Sequence, residues 1–333
     1  EELSFKVYSV PTLYGERLCL LRRRTLNESS SGLPLEDLGL APFILERYGK
    51  NCMHKGGAVL LTGPQGSGRR TTLLASLGKL NCDEMNIVCD ELGFTQEGLV
   101  NLSRRCTFSP ANENVCTREF AKRHAVDLFV VNFADYCDIA EALRVAASGV
   151  SVFAFMHHED PFRAVDYIFA RIPRWEHWLF AESMKAIVTS RLVAQPCKEC
   201  CEEYVPSTEL LAQFSIDEER LARLQLDMKI SDVRFVKAVG CEKCKANSSL
   251  YPGYEDLATG VFEVLFLTDE LNALIKRRAD LRTIREQALL EGHFSLRDSA
   301  IRKAILGETT LEQVIAVTTK WNFDRELFYR DKA

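Results

Sequence analysis

The chain has 333 residues, of which 47% are hydrophobic and 27% are charged, and its formal net charge is −5. This apolar content excludes a disordered chain and is enough for the cores of two or three domains. The longest apolar runs have the length of buried strands and are far too short to cross a membrane. We therefore expect no membrane-spanning segment, and because the acidic balance gives no positive field, we expect no nucleic-acid partner.

The chain contains 12 cysteines, and its N-terminal segment has none of the features of a signal peptide. In a secreted protein an even number of cysteines would favour a disulfide framework. Here most of them stand singly inside apolar stretches, which favours reduced thiols buried as small hydrophobic side chains. The first residues lie inside a predicted strand and do not include a starting Met, so we expect further chain upstream.

Short apolar strands alternate with helices through the first two thirds of the chain. Residues 1–24 predict strands of a small α/β or β element, and a polar linker rich in Ser and Gly follows at 25–34. A helical pattern covers 35–51. Further strands are predicted at 57–62, 85–91, 126–133 and 150–158, with helices at 73–80 and 138–149. This alternation predicts an α/β fold with a doubly wound parallel sheet.

The character of the sequence changes near residue 196. A segment that carries cysteines runs to about 250, and several helices with acidic first turns and terminal glycines follow it. We therefore predict five parts: the end of a small N-terminal domain (1–24), a linker (25–34), a phosphate-loop domain (35–195), a four-cysteine element (196–250) and a helical C-terminal domain (251–333).

A glycine-rich segment, GPQGSGRRTT (63–72), follows a predicted strand and opens a helix, which is the context of a phosphate-binding loop. Its glycines permit positive φ angles, so that backbone N–H groups and the helix N-terminus can face a phosphate. In the pattern G-x-x-x-x-G-K-[ST], Arg69 takes the lysine position and Arg70 the position of the hydroxyl that binds Mg²⁺. The candidate cofactor-binding residues are Gly63, Gly66, Ser67, Gly68, Arg69, Arg70 and Thr71.

These two replacements change the chemistry of the loop. An arginine is longer and planar, so it does not reproduce the compact charge of a lysine, and the lost hydroxyl removes a Mg²⁺ ligand. Thr71 supplies a hydroxyl only one residue later. Three interpretations stay open: a retained but weak site for ATP and Mg²⁺, a loop that no longer binds nucleotide usefully, and a plain glycine-rich turn.

Two C-x₂-C pairs, CKEC (197–200) and CEKC (241–244), are separated by about 40 residues. Each pair presents two sulfurs from a tight turn, and two such turns complete a tetrahedral zinc site. The candidate ligands are Cys197, Cys200, Cys241 and Cys244, and Cys201 is an extra thiol beside them. Four reduced thiols or two disulfides are the alternatives.

Several stretches together resemble the secretion ATPases of type II secretion and type IV pilus assembly, the general secretion pathway protein E-like family. Each motif alone is eroded, but their order and spacing agree over nearly the whole chain. The resemblance implies a RecA-like domain that contains the loop, followed by a tetracysteine zinc element. The stretches are FKVYSVPTLYGERLCL (5–20), GGAVLLTGPQGSGRRTTLLAS (56–76), VDLFVVNFADYCDIAEALRVAASGV (126–150), FAFMHHED (153–160), RLVAQPCKECCEEY (191–204) and SLRDSAIRKAILGETTLEQVIAVT (295–318).

Carried over by position, the resemblance implies catalytic roles for three residues. The Walker B glutamate, which positions or activates the attacking water, falls on Asn132, and the histidine box keeps His157. Glu91 matches at best the first glutamate of the acidic box. An asparagine can hydrogen-bond a water but cannot accept its proton. The alternatives are that Asn132 is a satisfied polar group at the end of a strand and that His157 is a solvated loop residue.

For the function, the resemblance implies a cytoplasmic motor component that forms a homo-hexamer or a mixed ring and docks on platform proteins of the inner membrane. It would drive pilus or pseudopilus assembly. The chain could be a divergent working ATPase, a member without hydrolysis that serves a structural or regulatory role, or a zinc-bearing adaptor that needs no nucleotide. The joint replacements at Arg69, Arg70, Asn132 and Ala134 favour weak or lost hydrolysis.

Overall fold

The computed structural model of the chain describes residues 4–12, 15–23, 33–80, 85–89, 106–108, 116–133, 138–247 and 252–318. Its strands are β1 (Ser4–Thr12), β2 (Gly15–Arg23), β3 (Gly57–Thr62), β4 (Ile87–Cys89), β5 (Cys106–Phe108), β6 (Leu128–Asn132), β7 (Ser151–Met156), β8 (Met184–Pro196), β9 (Cys201–Tyr204), β10 (Phe235–Ala238) and β11 (Tyr254–Phe266).

A seven-stranded sheet forms the centre of the described structure, in the order β11-β8-β3-β7-β6-β4-β5. Six of its strands are parallel, and only β11 pairs with its neighbour β8 in the antiparallel sense. The strands β1 and β2 form a separate antiparallel hairpin. The predicted α/β fold with a parallel sheet is therefore confirmed, and the predicted strands of residues 1–24 are present.

Thirteen helices lie in the described parts of the chain, where they flank the sheet and follow it. Their bounds are α1 (Pro42–Cys52), α2 (Arg69–Lys79), α3 (Arg118–Arg123), α4 (Ile139–Ala147), α5 (Pro161–Arg171), α6 (His177–Ser183), α7 (Thr208–Gln213), α8 (Glu218–Arg223), α9 (Glu242–Asn247), α10 (Asp269–Lys276), α11 (Leu281–Leu290), α12 (Leu296–Ile305) and α13 (Leu311–Thr318).

Both faces of the sheet are covered, which explains why its strands read as continuous apolar runs. Alternate residues of β3 point to opposite sides: Val59 and Leu61 belong to one core cluster, and Ala58 and Leu60 belong to the other. The first cluster is completed by α1, α2 and the C-terminal helices α12 and α13, and the second by α4, α5 and α6. The sheet thus lies between two apolar layers, and the loops at the ends of its strands lie outside those layers.

The structure corrects the helix predicted over 35–51. A short 3₁₀ turn covers Leu35–Leu38, and α1 begins only at Pro42. Gly39 separates them with a φ of 94°, and a Cβ there would lie 2.9 Å from the carbonyl oxygen of Gly260. A proline fits the first turn of a helix but not its interior. The 3₁₀ turn therefore ends before Gly39, and the α-helix begins at Pro42.

Strand β11 joins the central sheet although it lies beyond the predicted four-cysteine element, 196–250. The sheet therefore takes strands from both sides of that element. The C-terminal helix α12 has the predicted acidic first turn and terminal glycine, Asp298 and Gly307, and the latter has a φ of 74°. In addition, Ser295 and Asp298 form a reciprocal capping box at its start.

The four-cysteine element contains a small antiparallel ladder in which β9 pairs with β10. Cys201 is the register partner of Ala238, so the pairing brings the chain after the first C-x₂-C turn beside the chain before the second. Among the described residues, no helix combines the length and the apolar character that crossing a bilayer requires.

Candidate functional site

The carboxyl ends of the central strands gather most of the predicted site residues at one edge of the sheet. Thr62, the last residue of β3, is the register partner of Met156 in β7 and of Thr189 in β8. Asn132, the last residue of β6, is the partner of Phe155. The glycine loop, Asn132 and His157 therefore leave the sheet side by side, at the edge where open α/β sheets bind ligands.

The loop between β3 and α2 has the backbone that the sequence predicts. Gly63, Gly66 and Gly68 have φ angles of 146°, 79° and 91°. A Cβ on Gly63 would lie 2.8 Å from the carbonyl oxygen of Ser190, whereas one on Gly66 would meet nothing within 4 Å. The first glycine is therefore required by close packing, and the second faces open space where a ligand can approach.

Ser67 and the start of α2 anchor this loop. The Ser67 side chain is buried, and its Oγ lies 3.3 Å from Oγ of Ser190. The Thr72 hydroxyl donates to the Gly68 carbonyl at 3.1 Å, while Thr71 is half-buried and Arg70 is exposed. The first N–H groups of a helix have no partner within the helix, so the start of α2 favours an anion.

Arg69 lies across the edge of the sheet and contacts the histidine box. Its Nη1 donates to the carbonyl oxygen of Met156 at 2.8 Å, and its Nη2 lies 3.2 Å from Nδ1 of His157. The guanidinium carbon is 6.0 Å from the centre of the Phe155 ring. The structure thus brings together Arg69 and His157, which are 88 positions apart in sequence.

The histidine box is fixed by its backbone. The Thr62 hydroxyl donates to the His158 carbonyl at 2.7 Å and accepts the His158 N–H at 3.1 Å. Burial lowers the pKa of His158 from its usual value, and the charge of Arg163 lowers it further against the opposing effect of Asp160. His157 itself is exposed at the edge. This segment is therefore held rigidly while one imidazole remains accessible.

Arg191, in the middle of β8 and two residues after the register partner of Thr62, is a buried cation that the sequence analysis missed. Its Nη1 donates to the Ser190 carbonyl at 3.0 Å. Burial lowers the pKa of Arg191 from its usual value, although the carboxylates of Glu159 and Glu263 oppose that shift. No local sequence pattern reveals the contacts at this edge of the sheet. Thr62 bonds to His158, 96 positions away, and Ser67 lies against Ser190, 123 positions away.

Asn132 is half-buried at the end of β6, and β7 lies between that strand and β3, which leads into the loop. Glu91 lies outside the described residues, and so do Ala134 and Asp135. The described part of the site therefore contains two of the three residues that the resemblance implies as catalytic.

The four predicted metal ligands form a second site. One sulfur atom from each of Cys197, Cys200, Cys241 and Cys244 lies within 4.8 Å of every other, and no disulfide joins them. Cys200 Sγ and Cys244 Sγ are 3.9 Å apart. A tetrahedral Zn²⁺ with four sulfur ligands at about 2.3 Å requires sulfurs about this far from one another.

Backbone N–H groups support the sulfurs of this cluster. Those of Cys241 and Gly253 donate to Cys244 Sγ at 3.1 Å and 3.2 Å. The bond from Cys241 is the main cause that lowers the pKa of the Cys244 thiol to about 7. Lys243 and Glu199 form an ion pair between the two turns. The cluster therefore has the donor set and the outer contacts of a metal site.

A family model described as "Type II/IV secretion system protein" matches residues 1–102 and 132–316. The chain is 28% identical over 325 residues to "Type IV pilus assembly ATPase PilB" of Pseudomonas aeruginosa, with 96% of this chain and 53% of that protein covered. It is 29% identical over 325 residues to "Type II secretion system ATPase E" of Vibrio cholerae, with 94% and 58% covered. The chain thus spans about half the length of these relatives.

Solved structures support the fold. The ATPase DotB of Legionella pneumophila aligns with a TM-score of 0.59 at 12% identity, covering 96% of this chain and 73% of that one. The pilus retraction motor PilT, solved with bound ADP, aligns with a TM-score of 0.54 at 16% identity, covering 94% and 77%. Both likenesses concern the fold and extend over nearly all of this chain.

Proposed function

Because the chain belongs to the type II/IV secretion system protein family, we propose that it is a motor subunit whose ATP hydrolysis is weak or lost. The relatives that it matches are named as ATPases of type IV pilus assembly and type II secretion. The chain would belong to an assembly of this kind, and the residues around the glycine loop would account for its weak or lost ATP hydrolysis.

The position of Arg69 is the observation that carries this proposal. In a phosphate loop the lysine at this position reaches the β- and γ-phosphates. Here the guanidinium donates to the Met156 carbonyl through Nη1 and contacts His157 through Nη2, so both terminal nitrogens already bind the protein. A bulky, tethered cation is a poor substitute for a compact ammonium that follows charge as it develops on the transferred phosphoryl group.

The other replacements act in the same direction. Arg70 stands where a hydroxyl would bind Mg²⁺, and it is exposed. Asn132 can orient a water but cannot take its proton. The loop backbone, by contrast, is retained, so phosphate binding and hydrolysis need not be lost together. We therefore expect a site that still attracts phosphate while hydrolysis is close to background.

The four-cysteine cluster supports a structural zinc as part of the same proposal. Zn²⁺ would be held by Cys197, Cys200, Cys241 and Cys244, which join the two ends of the four-cysteine element. When bound, the metal supplies cross-linking of these turns and no step of nucleotide chemistry. A second candidate function follows: a zinc-bearing structural or regulatory subunit, favoured because the four cysteines lie at 197–244, outside the glycine loop at 63–68.

For the partners we propose a ring of six subunits, either identical or mixed with an active paralogue. The ring would lie on the cytoplasmic side of the inner membrane and dock on platform proteins there. The support for this arrangement is the family membership. In a mixed ring the retained loop could bind nucleotide while neighbouring subunits supply the hydrolysis.

Restoring the replaced residues tests the proposal. The triple variant Arg69→Lys, Arg70→Thr and Asn132→Glu should acquire Mg²⁺-dependent ATP hydrolysis at least about tenfold above the unmodified chain, because one preorganised charge-stabilising group is typically worth about 10²–10³ in rate. The matched control carries Arg69→Lys and Arg70→Thr alone and should gain less. If the unmodified chain already hydrolyses ATP on the order of 1 s⁻¹, in the ordinary enzyme range, the proposed loss is wrong.

A further inference from the structure

Two tryptophans stand on the surface of the segment that joins α5 to β8. Trp175 is 72% exposed and Trp178 is 50% exposed. They are the only tryptophans in the part of the chain that the structure describes. A tryptophan side chain is mostly buried in folded proteins, because its burial removes a large apolar area from water. An exposed pair therefore requires an explanation that the core of the molecule does not supply.

The backbone places the two indole rings on one side of this segment. A 3₁₀ turn covers Arg174–Glu176, and α6 begins at His177, which has a φ of −57° and a ψ of −25°. In such a backbone, side chains three positions apart lie on the same face. The next two residues, Leu179 and Phe180, are buried in the core beneath the helix. One face of the segment is therefore anchored, and another presents the tryptophans to solvent.

Ion pairs hold the segment in this position. Arg144 of α4 donates through Nη2 to both carboxylate oxygens of Glu176, at 2.5 Å and 2.6 Å, and through Nη1 to Glu141 at 2.8 Å. At the other end of α6, Glu182 pairs with Lys276 of α10. A surface that is already fixed loses less conformational freedom when a partner binds. The tryptophans are therefore presented by a preorganised element.

Two exposed arginines flank the tryptophans. Arg171 ends α5, with its guanidinium carbon 4.3 Å from the centre of the Tyr167 ring, and Arg174 opens the 3₁₀ turn. Within the described ranges, neither arginine has a carboxylate partner, whereas Glu176 already pairs with another cation. Residues 171–178 therefore present two uncompensated positive charges beside two apolar rings.

We propose that residues 171–178 form a docking surface for an acidic segment of a partner protein. Carboxylates of that segment pair with Arg171 and Arg174, and its apolar side chains cover Trp175 and Trp178. Tryptophan and arginine are the residue types most enriched among those that dominate the affinity of protein interfaces. The inference goes beyond the proposed function, because it holds whether or not the chain hydrolyses ATP.

The charge of the surface selects this partner over two others. A second copy that used the same face would bring like charges together, which opposes association. Anionic bilayers recruit clusters of about four to eight Lys and Arg side chains. This surface has only two, on a chain with a net charge of −5. An acidic peptide can instead place a carboxylate at each guanidinium while its apolar side chains meet the indole rings.

The test is a selection of displayed random short peptides on the unmodified chain, with depletion on the double variant Trp175→Ser and Trp178→Ser. We expect the enriched peptides to carry net negative charge and at least one large apolar side chain. Made synthetically, they should bind the unmodified chain at least about tenfold more tightly than the double variant. No enrichment, or enriched peptides without net negative charge, would overturn the proposal.

A second variant separates lost binding from lost folding. Arg171→Gln combined with Arg174→Gln keeps both tryptophans and should also weaken the selected peptides about tenfold or more. The matched control is Val205→Ser with Lys237→Gln, which removes one exposed apolar side chain and one exposed cation in the four-cysteine element. It should bind the peptides like the unmodified chain. An arginine variant with unchanged affinity, or a control as weak as that variant, would contradict the assigned surface.

The two rejected partners are outcomes of the same experiment. Sedimentation that shows self-association of the unmodified chain but not of the tryptophan variant would assign the surface to a second copy. Binding to vesicles that contain phosphatidylserine, lost in that variant, would assign it to a bilayer. Each result would overturn the proposal. ATP turnover, measured on the same preparations, tests the proposed loss of hydrolysis independently, so failure of one leaves the other intact.

Discussion

Two glycines of one loop differ in what they contribute. Gly63 packs against protein on both sides, because a Cβ there would lie 2.4 Å from Ser67 Oγ and 2.8 Å from the Ser190 carbonyl oxygen. Gly66 has no neighbour within 4 Å of the same added atom. The first glycine therefore serves the fold, and the second serves the approach of a ligand.

This difference predicts distinct outcomes for two single substitutions. Gly63→Ala should lower the free energy of unfolding by about 2–3 kcal/mol, because it combines overpacking with backbone strain. Gly66→Ala should cost only about 1 kcal/mol, from its φ of 79° alone, yet it should weaken nucleotide binding. Urea denaturation measures the first effect and titration with ADP the second. Equal stability losses would contradict the packing assigned to Gly63.

A buried carboxylate connects the four-cysteine element to the C-terminal helices. Asp298 is 0% exposed, pairs with Arg220 at 2.7 Å and with Arg223, and caps α12 together with Ser295. Burial alone would raise the pKa of Asp298, but the two arginine charges outweigh that effect and hold the pKa below its usual value. Its stabilising contribution is therefore present above the unfolded pKa of about 3.9 and is lost as the pH falls through the folded value.

Asp298→Asn should lower the free energy of unfolding by about 3–5 kcal/mol at neutral pH, because it removes a fully buried charge and leaves two partly buried guanidinium groups without their counterion. The difference from the unmodified chain should stay constant from about pH 5 to 8 and shrink below about pH 4. The control is Glu286→Gln, in an exposed pair with Arg282, which should change stability by less than about 1 kcal/mol. A loss that does not depend on pH would contradict the charge-based explanation.

At the scale of elements, the two C-x₂-C turns are expected to act as one metal-linked unit. The unmodified chain should contain one Zn²⁺, because four sulfurs lie within 4.8 Å of one another. Cys200→Ser combined with Cys241→Ser should abolish the zinc and lower the thermal midpoint, since metal binding contributes directly to folding.

Cys201→Ser provides the matched control for this double variant. Cys201 is the residue next to the first turn and lies outside the cluster, so its loss should leave the zinc content unchanged. Metal analysis by mass spectrometry gives the stoichiometry. A folded, untreated preparation without zinc, or a double variant as stable as the unmodified chain, would contradict the proposed site.

Local sequence patterns account for the elements whose signals lie within a few residues. The sequence predicts the strand Gly57–Thr62, the glycine turn and the helix after it. The glycines at fixed spacing permit the positive φ angles that such a turn needs. The four cysteines were likewise predictable from their fixed spacing. The helix predicted over 35–51 was wrong because the breaking effect of Gly39 and Pro42 was underestimated.

Contacts between distant segments could not be predicted in this way. Strand β11 pairs with β8 at the edge of the sheet. The spacing of apolar residues within a strand does not show which other strand it pairs with. The contact of Arg69 with His157 joins residues 88 positions apart, and that of Thr62 with His158 joins residues 96 positions apart. The sequence thus predicted candidate residues for the site but not the contacts that Arg69 makes with Met156 and His157.

At the scale of the whole molecule, the chain combines a largely parallel sheet, a glycine loop and a four-cysteine cluster, while Arg69, Arg70 and Asn132 stand where the resemblance implies a lysine, a hydroxyl and a glutamate. It spans about half the length of the relatives that it matches, so its part in a larger ring is a proposal about the assembly. The core clusters on the two faces of the sheet maintain the fold.

The proposed loss of hydrolysis sets this chain apart from a working motor ATPase. Steady-state ATP turnover of the unmodified chain in Mg²⁺, repeated over rising protein concentration so that any ring can assemble, tests that loss. We predict a rate per chain at background at every concentration. Turnover on the order of 1 s⁻¹, within the ordinary enzyme range, would contradict the proposed loss.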